Sequence, residues 1–459
     1  MAEGKLGFRR VYSSLKIHPQ RGRRVAHLAY PVALGMLSIT LLNIVDTAML
    51  GRLGSIPLAA AGISGVGYFA IVFSISGIGV GVQTLASRRY GEGKQEESGL
   101  VLTGGLILGL MAGIPLVLVG KWLAIGLAPL LSGELEVARL GELYLRYRFY
   151  GAGFLLLNQV YGGFYNGVGD TKKQMISAII VTTANIVLDY MLIFGHAGFP
   201  RLGIQGAAIA STIATGLGTA YFVAVSLGPR YLHRYSLYRG VSASISGFRS
   251  ILRLSFPVIG QRFLSNGSFF IFFGIVARIG TLELAATNVM RSVYGVSIMP
   301  ALGFAVAAAT LVGQNMGADR PEEAEQDAWE AAKLAAYLMG AVGLTFVLFP
   351  RAIFSVYTSD PAVTSLGRLP LMLLGVVQML GGVAIVLSQA LQGAGNTRFV
   401  MFAELMVCSV LYLPAAYFLG LKFGLGIVGA WSAEYIYWAA LAVIMSYKFR
   451  LGTWKSIRV

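Results

Sequence analysis

The sequence has little charge. Only 12% of its 459 residues are Asp, Glu, Lys or Arg, against about 25% in soluble domains. By contrast, 56% are hydrophobic, and the mean hydropathy is +0.71. This balance excludes a soluble globular protein. The 59 glycines suit close helix–helix packing in lipid, where small residues let backbones approach. We therefore expect a membrane protein with many spanning segments.

Other absences limit the chemistry. The single cysteine, Cys408, excludes an intramolecular disulfide, and four scattered histidines offer no metal-ligand cluster. The phosphate-binding motif G-x-x-x-x-G-K-[ST] is missing, which argues against direct ATP coupling. We find no nucleophile–base–orienter set and no cofactor motif, so we expect neither enzyme activity nor a cofactor. Residues 1–27 are basic and polar without an apolar stretch, which predicts a tail and not a signal peptide.

Apolar runs long enough to cross a bilayer, about 17–25 residues, recur twelve times. They cover residues 28–50, 62–86, 100–126, 142–166, 174–195, 203–227, 252–276, 285–311, 334–357, 369–391, 400–420 and 426–447. An even number of spans places both termini on one side. That side carries twenty-four of the 36 Lys and Arg residues, so the positive-inside rule makes it the cytoplasm. The basic excess then indicates topology and contact with anionic membrane lipids, and no nucleic-acid partner.

The two halves of the chain are copies of one six-segment unit. Pro31 of AYPVALG and Pro257 of SFPVIGQ are 226 residues apart, and NGVGDTKKQM matches QGAGNTRFVM at the same offset. Each copy has an even number of spans, so the repeat is parallel. Duplicated halves are typical of secondary transporters. The predicted division is an N-terminal tail over 1–27, an N-lobe over 28–227, a linker over 228–250, a C-lobe over 251–447 and a C-terminal tail over 448–459.

Two aspartates lie inside apolar segments of the first half. Asn43 and Asp46 are three residues apart in the first segment, and Asn185 and Asp189 are four apart in the fifth. Each pair therefore shares one helix face. At 1.5 Å per residue, Asp46 and Asp189 lie about 27 and 22 Å from the cytoplasmic ends of their helices, at similar depth. A carboxylate in hydrocarbon is costly and usually serves a function or has a partner.

The repeat offers an internal comparison for these acids. At offset 226, Asp46 maps to Phe272 and Asp189 to Ala415, which favours a function of the first half over a structural need of both. Two carboxylates held close in a low dielectric cannot both stay ionised cheaply. The pair is thus expected to exchange H⁺ or, with amide oxygens, to hold Na⁺. The alternative is that each aspartate only bonds a nearby Asn or Thr and stabilises packing.

Other charged residues have weaker assignments. Arg262 in the seventh segment is expected to favour an anionic ligand or to pair with Glu434, a second-rank site candidate in the last segment. Glu404 is expected to pair with Arg398 near the cytoplasmic surface. Arg146 and Arg148 are expected to stay near the outer interface by snorkelling, their charged ends reaching toward water.

The motifs resemble those of the MATE (multidrug and toxic compound extrusion) family, within the MOP flippase superfamily, and most closely its prokaryotic DinF-like branch. The motifs are NIVDTAMLGRLGSIPLAAAG, the paired NGVGDTKK and LQGAGNTR, NIVLDYMLIFG, GIQGAAIAS and MPALGFAVAAATLVGQNMGA, spread through both halves. The resemblance implies an all-α membrane protein with twelve transmembrane helices in two pseudo-symmetric six-helix lobes. It also implies extrusion of cationic, amphipathic compounds in exchange for H⁺ or Na⁺.

The resemblance further implies an N-lobe pocket for the coupling ion. Its residues in this chain would be Asp46, Asp189, Asn185, Asn43, Tyr144 of the fourth segment and Ser211 (or Thr212) of the sixth. Pro31, which removes a backbone hydrogen bond of the first helix, would be its bending point. Other branches place a glutamate on helix 7 and an aspartate on helix 10. Here Ser265 stands nearest the first, and helix 10 has no acid, so no C-lobe site of that kind is expected.

Together these features predict a secondary active multidrug exporter of the cell membrane. It would act as a monomer, by alternating access, on cationic or amphipathic drugs, with H⁺ as coupling ion and Na⁺ as the alternative. The competing hypothesis is a lipid-linked saccharide or lipid flippase, which should have a cationic cavity for pyrophosphate and is supported by Arg262 alone. A channel or receptor is disfavoured, because only one of the duplicated halves carries the acid pair.

Overall fold

The computed structural model describes residues 16–238 and 241–459. Within these ranges twelve long helices follow one another. They are α1 Pro19–Gly51, α2 Ser55–Gly91, α3 Gln95–Leu131, α4 Leu135–Tyr150 with Ala152–Gly167, α5 Thr171–Phe194, α6 Ile204–Leu227, α7 Val241–Ile279, α8 Thr281–Gly317, α9 Pro321–Leu348, α10 Pro361–Gly393, α11 Thr397–Lys422 and α12 Gly426–Arg450. Short helical segments cover Pro229–Leu232, Pro350–Tyr357 and Thr453–Ser456. The predicted all-α architecture with twelve helices is confirmed.

Helix α4 differs from the others. Of the described helices, eleven are long and apolar enough to cross a membrane as single units. Helix α4 is divided at Gly151 into two parts of 16 residues each, and its first part carries the polar sequence LEVARLGELYLRYRFY. Because a span needs about 20 residues, neither part crosses alone, and the two together form one interrupted span.

Several helices extend beyond the predicted apolar segments. Helix α1 begins at Pro19 and not at residue 28, so the end of the predicted 1–27 tail is helical, whereas residues 1–15 lie outside the described residues. Helix α7 begins at Val241, inside the predicted 228–250 linker. Hydropathy marks the apolar part of a helix, but backbone hydrogen bonding continues into the polar part at headgroup level.

The two halves, α1–α6 and α7–α12, meet most closely at the side of the bundle that holds both chain termini, here called the terminus side. There α2 and α8 are in backbone contact. A Cβ atom added at Gly91 would lie 1.9 Å from the carbonyl oxygen of Gln314, and one at Gly317 would lie 2.1 Å from that of Arg88. Glycine is therefore required at both positions for the lobes to approach this closely.

A buried carboxylate joins the lobes at the terminus side. Asp327 of α9 is 0% exposed and accepts hydrogen bonds from Arg21 of α1 at 2.9 Å and from Asn315 of α8 at 2.8 Å. Arg24 of α1 lies 3.5 Å from the same carboxylate. Since both arginines belong to the N-lobe and Asp327 to the C-lobe, these ion pairs exist only while the lobes touch at this side.

The predicted C-terminal tail 448–459 is folded against the terminus side. Trp454 is fully buried and stacks on Phe449 of α12, with ring centroids 4.6 Å apart. Arg88 of α2 donates a hydrogen bond to the carbonyl oxygen of Ile457 at 2.8 Å. The tail therefore belongs to the C-lobe but contacts the N-lobe as well.

Toward the opposite side the lobes separate. The outermost hydrogen bonds between them run from Arg262 to Ser76 and from Asn266 to Ser74, at 2.6 and 3.3 Å. Among the hydrogen bonds that join described residues, none links the lobes beyond this level. Four glycines in the outer parts of α2 and α7 have open space where a side chain would be: Gly62, Gly65, Gly267 and Gly274. The described hydrogen bonds between the lobes are thus concentrated toward the side of the termini.

Candidate functional site

The two predicted carboxylates meet inside the N-lobe. Helices α1 and α5 pack against each other, with Gly35 of α1 in contact with Ala178 of α5. Farther from the termini, the side chains of Asp46 and Asp189 lie within hydrogen-bonding reach of each other. Asp189 is 0% exposed and accepts a hydrogen bond from the amide of Asn185 at 2.5 Å. The structure thus brings together three of the predicted site residues from two helices.

Both carboxylates keep a buried oxygen without a hydrogen-bond partner among the described residues. These oxygens are Oδ1 of Asp46 and Oδ1 of Asp189. Leaving a buried polar atom unsatisfied costs about 1–3 kcal/mol, and more for a charged group. A proton or a bound cation would satisfy such an oxygen. The arrangement is therefore suited to taking up positive charge.

Arg148 of α4 also belongs to this site, so the expectation that it snorkels to the outer interface is wrong. Its guanidinium lies over the ring of Tyr68 of α2, 4.6 Å from the ring centroid. Its charge also acts on Asp46 and Asp189, although no ion pair among the described residues joins it to either acid. Tyr144, one turn earlier on α4, lies near Arg148 and the same two acids. A desolvated cation–π contact contributes about 2 kcal/mol, while Nε of Arg148 is buried without a hydrogen-bond partner among the described residues.

Two glycines of α4 place Arg148. A Cβ atom at Gly141 would lie 2.4 Å from the hydroxyl of Ser64, so this glycine lets α4 approach α2 closely. The first part of α4 ends at Gly151, which leaves Arg148 in its last turn. Carbonyl groups at a helix C-terminus favour a nearby cation. The interruption that makes α4 an atypical span thus also supports the charge at the site.

An apolar cluster closes the N-lobe on the side away from the termini. Its buried members are Leu50, Ala60, Ala61, Val137, Ile193, Ile204 and Ala207, from five helices. Leu50 follows Asp46 by one turn of α1, and Ile193 follows Asp189 by one turn of α5. The acid pair therefore lies just beneath the cluster. Asp46 is partly exposed, whereas Asp189 is buried.

Three other predicted site residues lie apart from the acids. Asn43 is exposed, and its carbonyl oxygen accepts a hydrogen bond from Thr47 at 2.7 Å. Ser211 is buried on α6, where no hydrogen bond among the described residues joins its hydroxyl to either acid. Pro31 lies within α1, which runs without interruption from Pro19 to Gly51. The roles assigned to these residues stay predictions.

The predicted pair of Arg262 with Glu434 is wrong. Arg262 donates hydrogen bonds to the carbonyl oxygen of Phe73 at 3.0 Å and to the hydroxyl of Ser76 at 2.6 Å, and it lies over the Phe73 ring. Glu434 lies near Arg291 of α8. Phe73 ends a π-helical turn of α2, an irregularity that often marks a functional position in a helix. Arg262 therefore fastens α7 to α2 between the lobes.

Glu404 does not pair with Arg398 as predicted. Its carboxylate accepts hydrogen bonds from Gln261 and Ser265 of α7. The amide of Gln392 of α10 in turn donates to Gln261 at 3.0 Å. The position nearest the helix 7 acid of other branches, Ser265, thus contacts a carboxylate that α11 supplies. Helix rotation about its own axis, which a sequence pattern does not reveal, turns Glu404 inward.

Basic residues surround two adjoining cavities at the terminus side, lined mainly by the N-lobe, with volumes of about 540 and 460 Å³. The charged residues of their walls are Arg23, Arg24, Lys172, Lys173, Arg230, Arg234 and the single acid Asp170. Basic pockets at the ends of membrane helices are typical binding places for phosphate-bearing lipid headgroups. The cavities are therefore consistent with the predicted contact with anionic lipids.

Comparison with known proteins identifies the family. The MatE family model matches residues 31–191 and 257–418, one range in each half. This chain belongs to the MatE family. It is similar to the multidrug resistance protein NorM of Burkholderia vietnamiensis, with 30% identity over 93% of each chain. The probable multidrug resistance protein NorM of Thermotoga maritima is 26% identical over 95% of this chain and 94% of the relative.

Solved structures agree with this membership. A multidrug resistance MATE family transporter of the MOP superfamily, in an outward-facing conformation, has a TM-score of 0.87 and 23% identity, covering 94% of this chain and 95% of that chain. At this identity the likeness concerns the fold. The resemblance drawn from the sequence motifs is confirmed, and the chain is a multi-pass membrane transporter of MATE fold.

Proposed function

We propose that this MatE protein is a secondary active multidrug exporter that exchanges cationic, amphipathic compounds for H⁺ or Na⁺. The observation that carries the proposal is the pairing of Asp46 with Asp189, each with an unpartnered buried oxygen, in the N-lobe of a two-lobed transporter. The relatives named as multidrug resistance proteins support the substrate class. The basic residues of the terminus side support a cell-membrane protein with both termini in the cytoplasm.

Helix α1 supplies a physical link between ion uptake and lobe movement. It carries Asp46 near one end and Arg21, which binds Asp327 of the C-lobe, near the other. The two residues are about 38 Å apart along the helix. Uptake of positive charge at the acid pair changes the electrostatic force on α1, and Pro31 between them lacks one backbone hydrogen bond. Bending of α1 at Pro31 would alter the contact between the lobes at the terminus side. The side of the membrane from which the protein is accessible would then change.

The first experiment is export of ethidium from proteoliposomes under an imposed pH gradient or an imposed Na⁺ gradient. The wild type is expected to respond to one of them. Asp189→Asn, which removes one acid and keeps the side-chain shape, should reduce gradient-driven export to background. Asp360→Asn is the matched control, because Asp360 caps α10 outside the site and Asn caps a helix equally well. Full exchange by Asp189→Asn, or no dye movement by the wild type, contradicts the proposal.

The flippase alternative finds no support in Arg262. A pyrophosphate-binding cavity needs free positive charge. Arg262 instead directs its guanidinium to the Phe73 carbonyl oxygen and the Ser76 hydroxyl of the other lobe. The feature that favoured a flippase in the sequence is therefore engaged in an inter-lobe contact.

A further inference from the structure

The acid pair and the charged or titratable groups near it belong to four helices that pack together. Helix α1 supplies Asp46, α5 supplies Asp189, α4 supplies Tyr144 and Arg148, and α2 supplies Tyr68. Helix α6 packs against α5 and has no charged residue in its sequence between 204 and 227. With both acids ionised, the two carboxylates and the guanidinium sum to one negative charge. A single additional positive charge makes the site neutral.

Neutrality matters because a net charge held away from water is costly, whereas a balanced, hydrogen-bonded set is tolerated. A site of two carboxylates without Arg148 would need two positive charges to become neutral. Arg148 supplies one of them permanently, since its guanidinium stays protonated and is stacked on Tyr68. The protein then has to collect only one charge from solution in each cycle.

Resting on the proposed function, we propose that Arg148 is a tethered counter-charge that limits the coupling site to one external charge and makes that charge H⁺ and not Na⁺. A proton needs only one of the unpartnered carboxylate oxygens of Asp46 and Asp189. A hard metal cation needs a shell of several oxygen ligands. The guanidinium of Arg148 near the acids has five N–H donors and no lone pair. It therefore offers no ligand to a metal ion.

The neighbouring side chains also leave few oxygens for a metal ion. Asn185 presents its amide N–H to Asp189, and the guanidinium of Arg148 lies near Tyr144. Replacing Arg148 by a neutral side chain removes a positive charge and frees space near the Tyr144 hydroxyl. The variant should therefore gain affinity for Na⁺, which is a gain of function that simple disruption of packing does not produce.

The test compares Arg148→Gln, Arg148→Lys and the control Arg146→Gln. Arg146→Gln removes the same charge from the same helix, and Arg146 makes no hydrogen bond or ion pair within the described part of the chain. Dye export is measured under separate pH and Na⁺ gradients, with K⁺ as the replacing cation. In parallel, the melting temperature is measured in detergent with rising Na⁺ concentration, because a ligand that binds only the folded state raises it.

We expect the wild type and Arg146→Gln to export under the pH gradient alone and to melt at a temperature independent of Na⁺. Arg148→Gln should lose pH-driven export at least tenfold, respond to the Na⁺ gradient and melt at a higher temperature as Na⁺ rises. Arg148→Lys keeps the charge but not the planar stack, so it should export more slowly with the ion dependence of the wild type.

Na⁺-driven export by the wild type overturns the inference and leaves the proposed function standing. The inference also fails if Arg148→Gln keeps wild-type proton coupling without any effect of Na⁺. If the wild type exports under neither gradient, the proposed function fails, and the melting measurements decide about Arg148. Should Arg148→Gln not fold, a rise of the wild-type melting temperature with Na⁺ overturns the inference, and its absence together with pH-driven export supports it.

Discussion

Substitution of Asp327 tests how the terminus side is held closed. Asp327→Asn keeps the size of the side chain, so no cavity forms, but it removes the charge that attracts Arg21 and Arg24 of the other lobe. The hydrogen bond with Asn315 lies within the C-lobe and persists when either amide turns. The loss therefore falls on the state in which the lobes touch at the terminus side.

The structure sets the size of this loss. Breaking a fully buried ion pair costs about 3–5 kcal/mol, because one charge is left without a partner. Here the side chains of Arg21 and Arg24 are 25% and 55% exposed, so both guanidinium groups regain water once released. A single charged hydrogen bond contributes about 1.5–3 kcal/mol. Discounted for solvent screening, the substitution should weaken closure by about 1–2 kcal/mol, which shifts the equilibrium between open and closed roughly 5–30-fold.

The shift is measurable with spin labels on the two lobes. Lys172 at the start of α5 and Gln326 on α9 are both exposed, and replacement of Cys408 by Ala leaves the labels as the only thiol sites. Pulsed electron spin resonance gives the distance distribution between the labels. In Asp327→Asn the ratio of long to short label distances should rise roughly 5–30-fold.

Glu323→Gln provides the matched control. Glu323 lies on the same helix, and its partner Arg320, 3.8 Å away, belongs to the same lobe. Its removal should leave the distance distribution unchanged. An unchanged distribution in Asp327→Asn, or an equal change in the control, refutes the assignment of the closing contact to Asp327.

Two further predictions concern packing and buried polarity. Gly91→Ala places a methyl group 1.9 Å from a backbone carbonyl oxygen of α8, so it should separate the lobes in the same distance measurement, whereas Gly62→Ala, at a position with open space, should not. Glu404→Leu leaves the donors of Gln261 and Ser265 unsatisfied at a cost of about 1–3 kcal/mol. It should therefore lower the melting temperature clearly more than Glu404→Gln does. Equal melting temperatures of the two variants would contradict the described hydrogen bonds.

The fold was largely predictable because its signals lie along the chain. Apolar runs of bilayer length predict spans one by one, and the offset between Pro31 and Pro257 reveals the duplication without any structural information. The limits of this approach appear at the ends of helices. Polar turns such as the beginning of α1 at Pro19 have no hydropathy signal, although their backbones continue the helix.

The acid pair could be proposed for a similar reason. The spacing of Asn185 and Asp189 places both on one helix face, and depth counted along two helices places Asp46 beside them. The interhelical partners of arginines and glutamates could not be found this way. Arg148, Arg262 and Glu404 all lie within apolar segments, but their partners are on other helices.

The sequence by itself determined that this protein has twelve helices in two copies of one unit, and that the pair of aspartates within the spans belongs to the first copy. Period, length and repetition are properties of the chain, and the bilayer converts them directly into helices. Tertiary structure decided which charges meet. Close contacts such as Gly141 against Ser64 fix the rotation and separation of the helices, and a change of one residue position turns a side chain by about 100°. For that reason a guanidinium expected at the membrane surface lies beside Asp46 and Asp189 instead.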